Sequence, residues 1–249
     1  MRRWLAAALT VAGIATTAHA QTLTDDPAFA LYRQAVQAAE TKDYARASQF
    51  AREAIAAYPD HLLAWYLLGQ SAMGRGAWEE AATAFSNVAR RYPASFAAHR
   101  DQGIALERLG RVDDARSAYE AALALRPDHQ DVRLRLAMTL YERGQRDAAV
   151  PHLEQLAGAN TTAPEVWVLL ARTYYERNEL AASEKAFTRA VALRDDGRAW
   201  FNLGVVRLRL DDRPGARTAF EHAAAHADVR EPATRELDKL RDADRPASR

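Results

Sequence analysis

The chain has 249 residues, 49% hydrophobic and 27% charged, an ordinary globular composition without a disorder signature. It has no cysteine, which excludes disulfides, zinc–thiolate sites, a thiol nucleophile and a lipidated cysteine. With 34 basic residues against 33 acidic ones and no basic cluster, nucleic acid is not an expected partner.

Residues 1–20 read as a targeting segment. Arg2 and Arg3 precede an apolar run from Trp4 to Ile14, and Ala18-His19-Ala20 stands before Gln21 as a cleavage site. The run is too short for a permanent membrane span. Ordinary Sec export fits better than the twin-arginine route, whose flanking consensus is missing. The mature protein is expected to be exported, periplasmic or secreted, soluble, and without a stable membrane anchor. Losing Arg2 and Arg3 leaves 32 basic residues against 33 acidic, a net charge of −1. Residues 21–27 form a short polar linker in which Asp25 or Asp26 caps a helix with Pro27 in its first turn.

From there the chain repeats. Between Leu62 and Pro93 two amphipathic segments flank a Gly-containing turn, with Trp65, Leu68, Gly69 and Ala72 on one helical face and Ala81, Phe85 and Val88 on the other. Ala47, Ala81, Ala115 and Ala149 recur at steps of 34 residues, as do Pro59, Pro93 and Pro127. Small residues at Gly69, Gly103, Ala137, Ala171 and Gly204 let paired helices approach, while Trp65 and Phe85 fill the space between pairs. The prolines stop one pair before the next begins. Turns within pairs fall near Asp43, Gly76, Gly110, Gly144, Asn178 and Asp211-Asp212. Neither helix of such a pair buries its stripe alone, and a fixed period of this length marks a solenoid.

These residues resemble the tetratricopeptide repeat (TPR). The second hairpin gives the fullest match, with Trp65, Leu68, Gly69, Ala72, Ala81, Phe85 and Pro93. The third has His99 in the tryptophan place, with Gly103, Ala115, Tyr119 and Pro127. The fifth has Trp167, Leu170, Ala171, Tyr174, Ser183 and Phe187 but lacks the closing proline. The sixth, one residue early, has Trp200, Leu203, Gly204, Ala216 and Phe220. The first and fourth are more degenerate. The resemblance implies an all-α fold, a right-handed α-solenoid of about six TPR helical hairpins near 28–61, 62–95, 96–129, 130–163, 164–196 and 197–230. A capping helix from Pro232 to about Arg241, with Leu237 and Leu240 inward, and a frayed tail from Asp242 occupy 231–249.

The fourth hairpin departs from the pattern. Pro151 sits early in its second helix, Gly158 arrives before that helix should end, and 159–163 make a longer connection. A shortened or bent helix, the weakest joint of the stack, is expected there.

In TPR stacks the first helices line a concave groove. Carried over by register, the groove positions include Tyr32, Tyr66, Gln70, Met73, Arg100, Ile104, Arg108, Met138, Tyr141, Arg172, Tyr175 and Phe201. Aromatics, Met and Arg are the composition enriched at protein interfaces, so the expected partner is another protein, presented as an extended peptide or an amphipathic helix. Where some TPR proteins grip a C-terminal carboxylate with Lys and Asn, this chain has Tyr32 and Val36, so that mode is not implied.

No protease zinc motif, nucleophile elbow or phosphate loop occurs, and neither catalytic residues nor a cofactor is expected. His222 and His226 have a two-His metal spacing, but with no third ligand obvious they read as surface imidazoles. His61 and His129 read as structural residues of the inter-hairpin turns, and His99 as a packing substitution. Asn160-Thr161-Thr162 fits a glycosylation triplet, idle behind a bacterial leader. The reading is a non-enzymatic envelope scaffold or adaptor, with an assembly or secretion chaperone as the alternative. An enzyme carrying a TPR domain would need a catalytic domain for which the repeats leave no room.

Overall fold

Every turn inside a hairpin closes in the same way. The second residue after the first helix takes a left-handed conformation at Lys42, Gly76, Gly110, Gly144, Asn178 and Asp211, with φ between 61° and 74°. The next N–H reaches back five residues to a helix carbonyl, as in Ala77 to Ala72 at 2.8 Å, Arg111 to Leu106 at 2.9 Å and Glu179 to Tyr174 at 2.8 Å. This double closure satisfies carbonyls the helix end would otherwise orphan, and it explains glycine at three of the six positions and Asn or Asp at two more.

The computed structural model describes residues 27–159 and 162–243. The leader, the linker up to Asp26, Asn160-Thr161 of the triplet, and residues 244–249 lie outside them. The described residues form thirteen helices and no strand. In chain order these are α1 (Pro27–Glu40), α2 (Tyr44–Ala57), α3 (Leu62–Gly74), α4 (Trp78–Arg91), α5 (Phe96–Arg108), α6 (Val112–Leu125) and α7 (Gln130–Glu142). Then come α8 (Arg146–Gly158), α9 (Pro164–Glu176), α10 (Leu180–Leu193), α11 (Gly197–Arg209), α12 (Arg213–Ala224) and α13 (Arg230–Ala243). Packing divides the chain into two compact units, Met1–Thr139 and Leu140–Arg249, with the division inside α7.

The inter-hairpin turns are built as regularly. Ala64 N–H donates to His61 Nδ1 at 3.3 Å, Ala98 N–H to Ser95 Oγ at 3.2 Å, and Val132 N–H to His129 Nδ1 at 3.3 Å. These N-caps start α3, α5 and α7 at the same repeat position. Four residues into the same helices the side chain ties back to the preceding proline carbonyl. Trp65 Nε1 donates to Pro59 at 2.8 Å, His99 Nε2 to Pro93 at 3.0 Å, and Arg133 to Pro127. His99 therefore makes the hydrogen bond of the tryptophan it replaces, and the capping imidazoles of His61 and His129 are structural. Trp200 lacks such a proline and donates instead to Asp195 Oδ1 at 2.7 Å, which holds that carboxyl below its usual range.

Close approach within hairpins has a specific cause. A Cβ added to Gly69 would lie 2.6 Å from the Phe85 ring, at Gly103 2.5 Å from Tyr119, and at Gly204 2.6 Å from Phe220. Each glycine is the seat for the ring of the second helix. The alanines Ala47, Ala81, Ala115, Ala149 and Ala216 are fully buried. Ser183 stands where the fifth hairpin should have that alanine, and its buried hydroxyl donates to the Ala171 carbonyl across the pair at 2.7 Å. A hydroxyl so satisfied adds little cost to an alanine site.

Two expectations need correction. Helix α8 runs unbroken through Pro151 for 13 residues, one fewer than α2, α4, α6 and α10 and one more than α12, so the proline does not break it and shortens it by at most a residue. Pro151 sits exposed on the outer face while Ala149, Val150, Leu153 and Leu156 are buried on the inner one, so packing offsets the single lost hydrogen bond. Gly158 is the last helical residue and ends α8 instead of interrupting it. The capping helix is also longer than read, spanning Arg230–Ala243, so Asp242 is helical. Leu240 is buried and Leu237 packs against Phe220 and Ala216.

Candidate partner-binding surface

In the first unit the groove positions fall on α1, α3, α5 and α7. Tyr32 is not on the open surface: it is 8% exposed, its ring 5.0 Å from that of His61 and 6.1 Å from that of Phe29. Burial pushes its hydroxyl up to about 12, and it belongs to the core of the first hairpins. The carried-over register puts Tyr32 beside the packing stripe, but the His61 cap of the next hairpin fills the space next to it.

Tyr66 and Arg100 are brought together by a residue that sequence reading missed. Tyr66 donates to Asp101 Oδ2 at 2.6 Å, and Arg100 Nε donates to Asp101 Oδ1 at 2.7 Å. Asp101 is only 5% exposed, so its charge is satisfied entirely by this pair. Burial first, then the Asp101 carboxylate, raises the Tyr66 hydroxyl far above its ordinary value. A second clamp follows. Glu107 accepts from Tyr119 at 2.6 Å and from Arg135 at 3.3 Å, linking α5, α6 and α7. Asp101 and Arg135 stand 34 residues apart at one repeat position, and only that register could have drawn attention to them. Beside the clamps, Gln70, Met73 and Ile104 are half-buried, Arg108 is exposed over the Trp78 ring at 5.2 Å, and Met138 is 38% exposed.

The second unit carries the remaining positions and is wired differently. Tyr141 lies between two guanidiniums, Arg146 at 5.1 Å and Arg172 at 5.6 Å from its ring centre. Tyr175 lies under Arg209 at 5.0 Å. Arg146 Nε meets Glu176 Oε2 at 3.2 Å, and Arg209 donates to Asn178 Oδ1 at 2.6 Å. Phe201 turns inward, its ring 5.4 Å from Phe220, and packs against the core closed by Leu240. A cavity of about 110 Å³ opens between α9, α10 and α11, lined by Arg172, Tyr175, Glu176, Phe187, Asn202, Val205 and Val206. Asn202 was missed; its signal is one amide on a face otherwise made of Phe201, Val205 and Val206.

The two imidazoles at metal spacing have other occupations. His222 stacks on Trp200 at 4.3 Å and 13°, and His226 Nε2 lies 3.3 Å from Asp195 Oδ1. Among the described residues no helix is long and apolar enough to cross a membrane, and no group of three or more His, Asp or Glu could hold a metal ion.

The chain belongs to the tetratricopeptide repeat family. Two family models match, one over residues 32–95 and 66–130 and the other over 106–156 and 140–203. Human tetratricopeptide repeat protein 7B is 31% identical over 129 residues, 52% of this chain and 15% of that protein. Protein FlbA of Caulobacter vibrioides is 28% identical over 187 residues, 72% of this chain and 30% of FlbA. Surface lipoprotein assembly modifier 1 of Neisseria meningitidis is 41% identical over 59 residues, 24% of this chain and 12% of that protein. The chain thus spans less than a third of the length of these curated relatives. Among solved structures, residues 41 to the end of MamA from Desulfovibrio magneticus match with a TM-score of 0.58 and 25% identity over 75% of this chain and 98% of that one. YrrB, described as a TPR protein with an unusual peptide-binding site, gives a TM-score of 0.66 at 15% identity over 76% of this chain and 97% of its own, a likeness of fold alone. The fold is therefore an all-α TPR solenoid, a class that serves as a protein–protein interaction scaffold.

Proposed function

We propose that the protein is a non-enzymatic scaffold or adaptor, exported to the cell envelope, that holds a segment of another protein on the first helices of its repeats. The segment is an extended peptide or an amphipathic helix. The observation that carries this reading is the state of the groove side chains. Arg172 and Arg209 rest on tyrosine faces, and Met138 and Arg108 stand exposed, so large contact groups are held in place yet remain accessible. Aromatic, Met and Arg groups ordered beforehand lose little entropy on binding. Export rests on the leader pattern of residues 1–20, and N-terminal sequencing of the envelope fraction should begin at Gln21.

The test is co-purification from the envelope with a variant changed only at exposed groove positions, Arg108→Ala, Met138→Ala and Arg172→Ala. Tyr66 and Arg100 are spared because they hold a buried carboxylate. Loss of captured partners with an unchanged helical circular dichroism spectrum is expected; full capture by the folded variant overturns the reading. The similarity to a surface lipoprotein assembly modifier favours a second reading, an envelope assembly chaperone. Suppression of aggregation of an unfolded envelope protein at sub-stoichiometric amounts would select it over a one-partner adaptor.

A further inference from the structure

The groove cations of the two units differ in what neutralises them. Arg100 meets Asp101 at 2.7 Å and Arg135 meets Glu107 at 3.3 Å. In the second unit, among the described residues, no carboxylate pairs with Arg172 or Arg209. Glu176, one helical turn after Arg172, is turned to Arg146 at 3.2 Å. Arg172 lines the cavity between α9 and α11, and Arg209 lies over the ring of Tyr175, another of its lining residues, so two guanidiniums without a paired carboxylate stand at or next to it. Its walls are apolar at Phe187, Val205 and Val206, Asn202 adds an amide, and the one lining carboxylate, Glu176, is paired with Arg146. A volume of about 110 Å³ is room for one aliphatic side chain, the space of three or four liquid waters at roughly 30 Å³ each.

Resting on the groove reading above, we propose that this cleft is an anchor subsite for an acidic–apolar–acidic segment inside a partner chain. The apolar side chain fills the cavity, and the carboxylates before and after it meet Arg172 and Arg209. Two separate guanidiniums suit an internal segment, because a chain ending in the cavity would leave one of them unmet. Asn202 is placed to hydrogen-bond the peptide backbone beside the anchor, as an amide offers both donor and acceptor. Charge supplies selection here and the cavity supplies the anchor.

Capped synthetic nonapeptides on a Gly-Ser background test this, with Glu-Leu-Glu, Gln-Leu-Gln or Glu-Ala-Glu at the centre, titrated into the protein by ¹⁵N–¹H NMR. Glu-Leu-Glu should bind about tenfold more tightly than either of the others. Arg172→Gln alone should reduce the preference for Glu over Gln; together with Arg209→Gln it should remove that preference and keep the one for Leu over Ala. Val205→Phe, which fills the cavity, should do the reverse; if it does not fold, the Leu–Ala comparison on the unchanged protein decides. Equal binding of all three peptides, no binding of Glu-Leu-Glu into the millimolar range, or a Glu preference that survives the double change overturns the proposal. Stronger binding of a peptide ending in a free Leu carboxylate does so too, by moving the carboxylate to the chain end. Peptide results of that kind with co-purification still sensitive to the groove variant remove this subsite and leave the groove reading standing.

Discussion

The two compact units use one repeat register and stabilise their groove faces by different chemistry. In Met1–Thr139 the polar groups of the first helices are consumed by one another: Asp101 takes both Tyr66 and Arg100, and Glu107 takes both Tyr119 and Arg135. In Leu140–Arg249, Arg172 and Arg209 lie on tyrosine rings and, among the described residues, are paired with no carboxylate, Arg209 donating to the Asn178 amide oxygen. A buried carboxylate between helices ties them together at the expense of free binding groups. A guanidinium on an aromatic face is ordered by a weaker contact, on the order of 0.5–1 kcal/mol at an exposed site, and stays available. The repeat thus separates holding from binding by changing a few polar side chains.

The sharpest way to break this comparison is Asp101→Ala. It removes the shared acceptor of Tyr66 and Arg100 and leaves a half-buried cation without its partner. Loss of a buried, hydrogen-bonded charge typically costs about 3–5 kcal/mol; with Arg100 a third exposed, about 2–3 kcal/mol is expected. Urea unfolding followed by circular dichroism measures it, and a change below about 1 kcal/mol would show that Asp101 is not a tie.

Next in size is Gly103→Ala, which sets a methyl group 2.5 Å from the Tyr119 ring and so disturbs the ring whose hydroxyl reaches Glu107. Overpacking of this kind costs about 1–3 kcal/mol, and about 2 kcal/mol is expected here because both helices are buried at that point. The fifth hairpin already has Ala171 in this place, so Ala171→Gly should be destabilising instead, by about 1 kcal/mol from helix propensity and the lost contact.

How far the sequence revealed this molecule follows from the same residues. The period of 34, the small residues and the proline stops recur along the chain, and each corresponds to one local geometry, so hairpins and turns were legible. Tyr32 was misplaced because its neighbour is His61 of the next hairpin, 29 residues on, and nothing in a helical stripe says which side the next hairpin fills. Asp101 was passed over for a related reason: an acidic residue between Arg100 and Gln102 looks solvated until Tyr66 is brought against it from 35 residues away. Pro151 misled in the opposite direction, since helix propensity is local and the four apolar residues buried beside it are not.

Pro151→Ala sharpens the reading of the second unit. It restores a hydrogen bond to the Asp147 carbonyl and relieves crowding in α8, so a gain of about 1 kcal/mol is expected, less than the full helix penalty because the unfolded chain also gains freedom. Hydrogen exchange across 145–158 should slow in the variant. If protection in the unchanged protein already equals that of α10, the fourth hairpin is no weaker than its neighbours.

The smallest effect is the one that isolates function from stability. Arg172→Ala removes an exposed guanidinium that has a tyrosine ring beneath it and, among the described residues, no carboxylate paired with it. Its loss should lower the unfolding free energy by no more than about 0.5 kcal/mol, a fraction of the Asp101→Ala cost, while reducing partner capture. The contrast depends on both measurements being made on both variants. A destabilisation by Arg172→Ala as large as that by Asp101→Ala would mean that the second unit, too, spends its arginines on holding itself together. In that case the accessible cations of the groove would have to be sought at Arg108, which lies over Trp78 in the first unit.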